Sequence, residues 1–148
     1  MAVALAVILG FEIADLRGRP GVPTATAAET TVARNFAVAV TSFDYRRISQ
    51  DTARAVAFGS PSYRPDLLAA LGPSFVNGIV ANKRISTGTV ADGPVVQSGP
   101  PGRVVFLVVI NQQITSVGSQ SAPQTARVAL VIAVSRGPSP AVVGVQNL

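Results

Sequence analysis

Few residues of this chain could do chemistry, because it contains no histidine and no cysteine. Those absences remove the commonest general base, the base of a serine triad, the thiolate nucleophile and the usual zinc ligands. Seven acidic residues remain, and they are scattered along the sequence. Hard cations need converging carboxylates. The sequence therefore predicts no metal site, no cofactor and no catalytic residue, and hence a protein that is not an enzyme.

Two polar clusters are candidate pocket or interface residues. The first is Asp44-Tyr45, which two arginines follow. We expect it at a helix end, where the arginines complement the negative end of the helix dipole. The second is Asn111-Gln112, the amide end of an otherwise apolar run. Amides at a strand end usually bond the adjoining backbone or face solvent, so each cluster has a structural interpretation beside the functional one.

Asp92 is the acidic residue that fits an alternative, catalytic interpretation. It stands beside Gly93 near a predicted strand end, which is typical of a turn residue. Catalysis would require a second group on the same sheet, and the chain offers Tyr45 or Tyr63. A carboxylate with such a donor is the arrangement by which ketosteroid-isomerase-like enzymes abstract a proton.

The stretch that must position these groups is Arg103–Thr115, which predicts a long central strand. Its residues 104–110 are apolar at every position. A strand of this kind is covered on both faces. The helices can cover one face, and a partner or a bound apolar ligand is expected on the other.

Helices precede this strand and further strands follow it. Thr26 and Glu29 match a capping box that opens a helix running to about Tyr45. Ser49 and Pro65 mark the starts of two more helices, and a further helical piece, Pro73 to about Ala81, presents an apolar face that includes Phe75 and Ile79. Alternation or apolar runs then indicate strands, which short loops connect: 84–97, 103–115, 126–134 and 141–145. This order predicts an α+β domain with N-terminal helices packed on a four-stranded antiparallel sheet.

The chain of 148 residues is divided as follows. Residues 1–16 are predicted to be a partial membrane anchor or a signal-like segment, since their apolar run is shorter than the ~20 residues of a full span. An apolar helix of the domain itself is the third interpretation. Residues 17–25, with four prolines or glycines, form a linker. Residues 26–148 form the single α+β domain.

The positive charge of the chain does not indicate a nucleic-acid partner. The net charge is +5, but the arginines are mostly scattered singly and aromatic residues make up 5%. A nucleic-acid binder more often has a basic stripe with aromatic side chains on which bases stack. No nucleic acid is therefore expected.

The order of several motifs resembles that of the mammalian-cell-entry-associated (Mce-associated) membrane proteins of actinobacteria. The motifs are TSFDYRRIS (41–49), SYRPDLLAAL (62–71), VVFLVVINQQ (104–113) and AVVGVQNL (141–148). The resemblance implies a nuclear transport factor 2-like, or cystatin-like, cone in which a curved antiparallel sheet wraps the helices. It also implies a single-pass anchor in the cell membrane, with the domain on the extracytoplasmic side.

The function that the resemblance implies is a non-catalytic accessory or scaffold protein of an Mce-type lipid or sterol import system. Its expected partners are Mce transporter subunits or other Mce-associated proteins, the membrane through the N-terminal segment, and a second copy through the sheet face. Two alternatives stay open. One is the ketosteroid-isomerase-like enzyme, and the other is a binder of an apolar ligand in the cone cavity.

Overall fold

The computed structural model describes residues 23–97 and 99–148. The predicted anchor or signal-like segment (1–16) lies outside the described residues, and so does the predicted linker (17–25) as far as residue 22. Within the described ranges, no helix has the length and apolar character that crossing a membrane requires.

The N-terminal half of the domain is helical. A capping box opens the first helix as predicted: Thr26 Oγ1 accepts the Glu29 N–H at 3.2 Å, and Glu29 Oε2 accepts the Thr26 N–H at 2.9 Å. A 3₁₀ turn at Tyr45–Arg47 precedes the second helix. The helices are α1 (Ala27–Thr41), α2 (Ile48–Ala57), α3 (Arg64–Ala70) and α4 (Pro73–Ala81).

An antiparallel sheet, in which sequential strands are neighbours, takes its first strand from between α1 and α2 and its other strands from after α4. Its strands are β1 (Phe43–Asp44), β2 (Arg84–Gln97), β3 (Arg103–Ser116), β4 (Gln124–Ser135) and β5 (Val142–Asn147), in the order β1-β2-β3-β4-β5. Register shifts after Val90 and Asp92 mark bulges in β2, which bend a strand and increase its twist. The predicted α+β class, with N-terminal helices on an antiparallel sheet, is confirmed.

The sheet has five strands and not four, because α1 is shorter than predicted. α1 ends at Thr41 and not near Tyr45, since Ser42 takes an extended backbone conformation with φ −122° and ψ 107°. Phe43 then pairs with Ser86 of β2. A two-residue strand is too short to produce a period in the sequence. The predicted Ser49 cap is also wrong by two residues, because the N-cap of α2 is Arg47, whose side chain makes no capping hydrogen bond.

One face of the sheet, here called the inner face, packs against the helices. Alternate residues of β3 and β4 lie on it, as the pleat of a strand requires. Phe36 of α1 and Phe106 of β3 are both completely buried there. The inner-face residues of the two central strands are Val104, Phe106, Val108, Ile110, Leu130, Ile132 and Val134.

The opposite, outer face carries a second apolar cluster, in which Val105, Val131 and Ala133 are buried within the single chain. Part of this cover is the chain's own loop. A Cβ added at Gly99 would lie 2.7 Å from Val105 Cγ2, so the loop backbone rests on that side chain. The prediction that both faces of β3 are covered holds for Val105, and the cover there comes from the same domain.

α1 lies along the inner face and connects its two ends. Near the start of α1, Glu29 Oε1 is 3.8 Å from Arg136 Nη1 in the turn between β4 and β5. Beyond its C-terminus, Ser42 Oγ accepts the Gly88 N–H of β2 at 3.0 Å. We call the end of the sheet at Val104 and Val134 the packed end, and the end at Ser86 and Gln112 the rim.

Candidate functional site

The Asp44 carboxylate is held by three hydrogen bonds from Arg46. It accepts two bonds from the Arg46 guanidinium, at 2.9 Å from Nε and 2.6 Å from Nη2, and one from the Arg46 backbone N–H at 3.0 Å. The guanidinium bond is the main cause that lowers the pKa of Asp44 to about 2. A carboxyl group that stays ionised near neutral pH is a poor general acid.

Asp51 extends these contacts into α2. Its Oδ2 accepts the Asp44 backbone N–H at 2.9 Å, and its Oδ1 lies 3.5 Å from Arg54 Nη1. Arg47 Nε lies 3.9 Å from Oδ2. Asp44 belongs to β1 and the buried Asp51 belongs to α2, so the hydrogen bond between them connects the strand to the helix. We call the two aspartates and their arginines, Arg46, Arg47 and Arg54, the Asp–Arg cluster. The contacts within the cluster are structural.

Tyr45 is half-buried beside the cluster and packs against the core. The Arg46 guanidinium lies 5.8 Å from the centre of its ring, within reach of a cation–π contact. These placements give Asp44 and Tyr45 clear structural roles. A contact role for the pair at an interface stays a prediction.

Asn111 and Gln112, the second candidate pair, point to opposite faces of the sheet. Asn111 is exposed on the outer face, where it pairs with Thr89 and Arg127 across the neighbouring strands. Gln112 is only 4% exposed on the inner face. Successive side chains of a strand alternate between faces, so the two amides cannot act on the same ligand from one side.

Gln112 belongs to a buried polar network at the rim. Its Nε2 donates to Ser86 Oγ at 2.8 Å and to the Thr41 carbonyl oxygen at 3.3 Å. Ser86 Oγ donates to the same carbonyl at 2.7 Å. The last carbonyls of a helix lack partners within the helix. The network therefore supplies partners to the C-terminus of α1 and fixes it over β2 and β3.

Gly88 allows this close approach. A Cβ at position 88 would lie 2.8 Å from Thr41 Cβ and closer still to its hydroxyl. A glycine in a strand interior often marks such a contact. The glycine in a predicted strand is therefore a sequence signal for a close contact. Nothing in the sequence indicates that the contact is with Thr41, or that Ser86 bonds the Thr41 carbonyl.

A cavity of about 130 Å³ opens beside the network, between α4 and the start of β2. Its apolar wall includes Phe43 and Phe75, whose ring centres are 4.9 Å apart in an edge-on arrangement. Ile79 completes that wall, and Arg84 lies at its margin. Sequence reasoning assigned Phe75 and Ile79 to an apolar helix face but did not foresee a cavity beside them.

The groups required for the ketosteroid-isomerase-like alternative do not converge. Asp92 is exposed, and its Oδ1 accepts the N–H of the adjacent Gly93 at 2.8 Å. Tyr63 lies near Val145 of β5, which β3 and β4 separate from β2, and burial raises its pKa to about 12. Tyr45 follows β1, which pairs at Ile85, roughly 20 Å along β2 from Asp92 at ~3.3 Å per residue.

Within residues 23–97 and 99–148, no group of three acidic side chains could hold a metal ion. The inner face is filled by side chains, since Phe36, Phe106, Ile110 and Ile132 have no exposed surface. The rim cavity is smaller than the ~300–1,000 Å³ of a small-molecule pocket. Neither alternative function, the enzyme or the apolar-ligand binder, is supported.

No protein-family model matches the chain, and no curated protein is similar to it in sequence. Solved structures match it over most of its length. CagV, a VirB8 homolog of the type IV secretion system of Helicobacter pylori, has a TM-score of 0.68 at 8% identity and covers 82% of this chain and 97% of its own. The periplasmic domain of DotI has a TM-score of 0.66 at 13% identity, covering 87% and 99%. An IcmL-like type IV secretion protein of Legionella pneumophila has 0.65 at 15%, covering 86% and 94%.

These likenesses define the fold: the domain is a nuclear transport factor 2-like cone of the kind found in VirB8-type domains. The predicted fold is confirmed, whereas the predicted family is wrong. The matching structures are type IV secretion proteins and not Mce-associated proteins. The predicted function in lipid or sterol import and the predicted Mce transporter partners are overturned by the same finding. The resemblance failed because its motifs, TSFDYRRIS and VVFLVVINQQ, include the residues that build the Asp–Arg cluster and the inner face.

Proposed function

We propose that this chain is a non-catalytic assembly component of a type IV secretion-like apparatus of the cell envelope. The observation that carries the proposal is the match of whole domains. The similar type IV secretion domains are covered over 94–99% of their own length, so the likeness is not confined to a shared helix or hairpin. Fold likeness by itself does not define a function, and the site geometry supplies the second argument.

The polar groups of the domain stabilise its structure, which also supports a non-catalytic role. The Asp44 and Asp51 carboxylates are occupied by arginines or backbone N–H groups, and the Gln112 amide holds the end of α1. No acidic residue lines the cavity beside Phe43 and Phe75. A domain of this kind acts through contacts with partners and not through a reaction.

The proposal places the domain on the extracytoplasmic side of the membrane, since the similar DotI structure is that of a periplasmic domain. Residues 1–16 would then be part of a membrane anchor, residues 17–25 the linker, and residues 26–148 the exported domain. Protease treatment of spheroplasts tests this topology: the domain is digested if it is exported and protected if it is cytoplasmic.

The function is tested by isolating a tagged chain from crosslinked membranes of the organism that produces it. We expect subunits of a type IV secretion or conjugation apparatus among the crosslinked proteins. The same chain without its tag, taken through the same procedure, serves as the control. Recovery of the same proteins with and without the tag, or of no envelope-complex subunit with the tagged chain, would contradict the proposal.

A further inference from the structure

Two recesses meet at the rim of the sheet. The first is the apolar cavity of about 130 Å³ beside Phe43, Phe75 and Ile79. The second is a polar cleft of about 110 Å³ under the turn between β3 and β4, and its hydroxyl groups come from Ser116, Ser119 and Ser121. Arg84 and Ile114 line both recesses. An apolar site and a polar site therefore share one arginine at their junction.

The size of the apolar cavity limits what can enter it. An engineered protein cavity of ~150 Å³ holds one benzene molecule. The rim cavity of about 130 Å³ can therefore hold one aromatic ring or one branched side chain, but not a long acyl chain. Its edge-on pair of phenyl rings at 4.9 Å suits a third aromatic or aliphatic group.

The charge at the junction selects a negative group. Arg84 has no ion pair with any acidic residue in the described part of the chain, unlike Arg46, Arg54 and Arg136. A guanidinium presents several N–H donors in a planar fork that fits a carboxylate. Serine hydroxyls in the cleft can both donate to and accept from a peptide backbone.

We propose that the rim binds a peptide segment of a partner protein in which one bulky apolar side chain stands next to a carboxylate. The simplest form is a chain that ends in phenylalanine or leucine. The side chain enters the cavity at Phe75, the carboxylate binds Arg84, and the preceding backbone lies in the serine-lined cleft. This inference deepens the proposed function and rests on it, since such a segment would attach a neighbouring subunit.

Gly78 of α4 offers a way to close the cavity without loss of the fold. It lines the cavity, and a Cβ added there meets nothing within 4 Å. Gly78→Leu should place a side chain in the space of the ligand, while removal of a helical glycine favours the folded state. Asn77→Leu is the matched control, because it adds the same side chain to the neighbouring exposed position of α4.

The experiment measures binding of acetyl-Ser-Ser-Phe with a free carboxylate to the full chain by NMR titration. We expect shifts at residues of both recesses. Amidation of the carboxylate removes its ion pair with Arg84, and replacement of the phenylalanine by alanine removes the ring from the cavity. Either change should raise the Kd about tenfold. Gly78→Leu should abolish binding, and Asn77→Leu should leave it unchanged.

Arg84→Gln separates the charge from the cavity. It should weaken binding of the free acid about tenfold and leave binding of the amide unchanged. No binding by the natural chain, equal binding of acid and amide, or stronger binding of octanoate than of the peptide would each overturn the inference. This measurement uses purified chain and synthetic peptide, so its failure is distinct from failure to recover secretion subunits from membranes.

Discussion

The packed end and the rim are opposite ends of the same strands, and they differ in what fills the inner face. At the packed end, Val104, Phe106 and Val134 have no exposed surface, and apolar contact accounts for the packing. At the rim, the corresponding positions of β2 and β3 carry Ser86 and Gln112, and a cavity lies beside them. The difference indicates that apolar packing holds the packed end, whereas the rim has fixed polar groups with an open cavity beside them.

The largest expected effect is that of truncation at the packed end. Phe106→Ala should lower the free energy of unfolding by about 3–5 kcal/mol, because it leaves a cavity in a fully buried cluster. Phe75→Ala at the rim should cost roughly 1–2 kcal/mol, since its side chain is only half-buried. Urea unfolding measures both variants. Equal losses would show that the two ends do not differ in their contribution to stability.

The second comparison uses two glycines of the rim. Gly88→Ala should destabilise the domain by about 1–3 kcal/mol, because its Cβ overlaps Thr41. Gly78→Ala should stabilise it by roughly 0.5–1 kcal/mol, because its Cβ meets open space within a helix. The melting temperatures of the two variants should therefore move in opposite directions. A lower melting temperature for both variants would contradict the finding that a Cβ at position 78 meets open space.

The third comparison uses adjacent amides on opposite faces. Gln112→Met should cost about 1–2 kcal/mol, because it removes the donor to Ser86 Oγ and the Thr41 carbonyl. Asn111→Met, which adds the same side chain on the exposed outer face, should stay within ~0.5 kcal/mol of the natural chain. Urea unfolding with both variants tests whether the polar network holds α1. Equal effects would contradict that role.

The smallest effect is a pH dependence of the Asp–Arg cluster. The pKa of Asp44 is lowered to about 2 in the folded chain, from an ordinary value of 3.8 that we expect in the unfolded chain. The carboxyl group therefore contributes stability above about pH 4, and that contribution is lost as the pH falls toward 2. Thermal unfolding between pH 2 and 5 should be less pH-dependent in both Asp44→Asn and Arg46→Gln. An unchanged pH dependence in Arg46→Gln would show that Arg46 is not the cause of the lowered pKa.

The sequence predicted the fold well where a long period or run exists. The apolar residues 104–110 predicted β3, and Thr26 with Glu29 predicted the start of α1. It failed at β1, because a strand of two residues has no period and follows directly on a helix. The pairing of Phe43 with Ser86 is a contact between distant parts of the chain that local propensity does not encode.

The candidate site was less predictable, because it depends on the direction of side chains across the sheet. Asn111 and Gln112 are neighbours in sequence, yet the strand places them on opposite faces. Arg84 begins β2, and nothing in the sequence predicts that Phe75 and Ser119 line recesses beside it. The family resemblance was wrong because motifs that build a fold joint or a core do not by themselves distinguish families that share the fold.

Photo-crosslinking in the native membrane tests most directly whether the rim contacts a partner. It uses two exposed serines, Ser74 beside the rim cavity and Ser139 in the turn at the packed end. A benzophenone amino acid is placed at one position at a time. We predict that the Ser74 position crosslinks to a subunit of an envelope-spanning secretion apparatus, and that the Ser139 position does not. Equal crosslinking from both positions, or none from Ser74, would contradict the claim that the rim is the partner-binding end of an assembly domain.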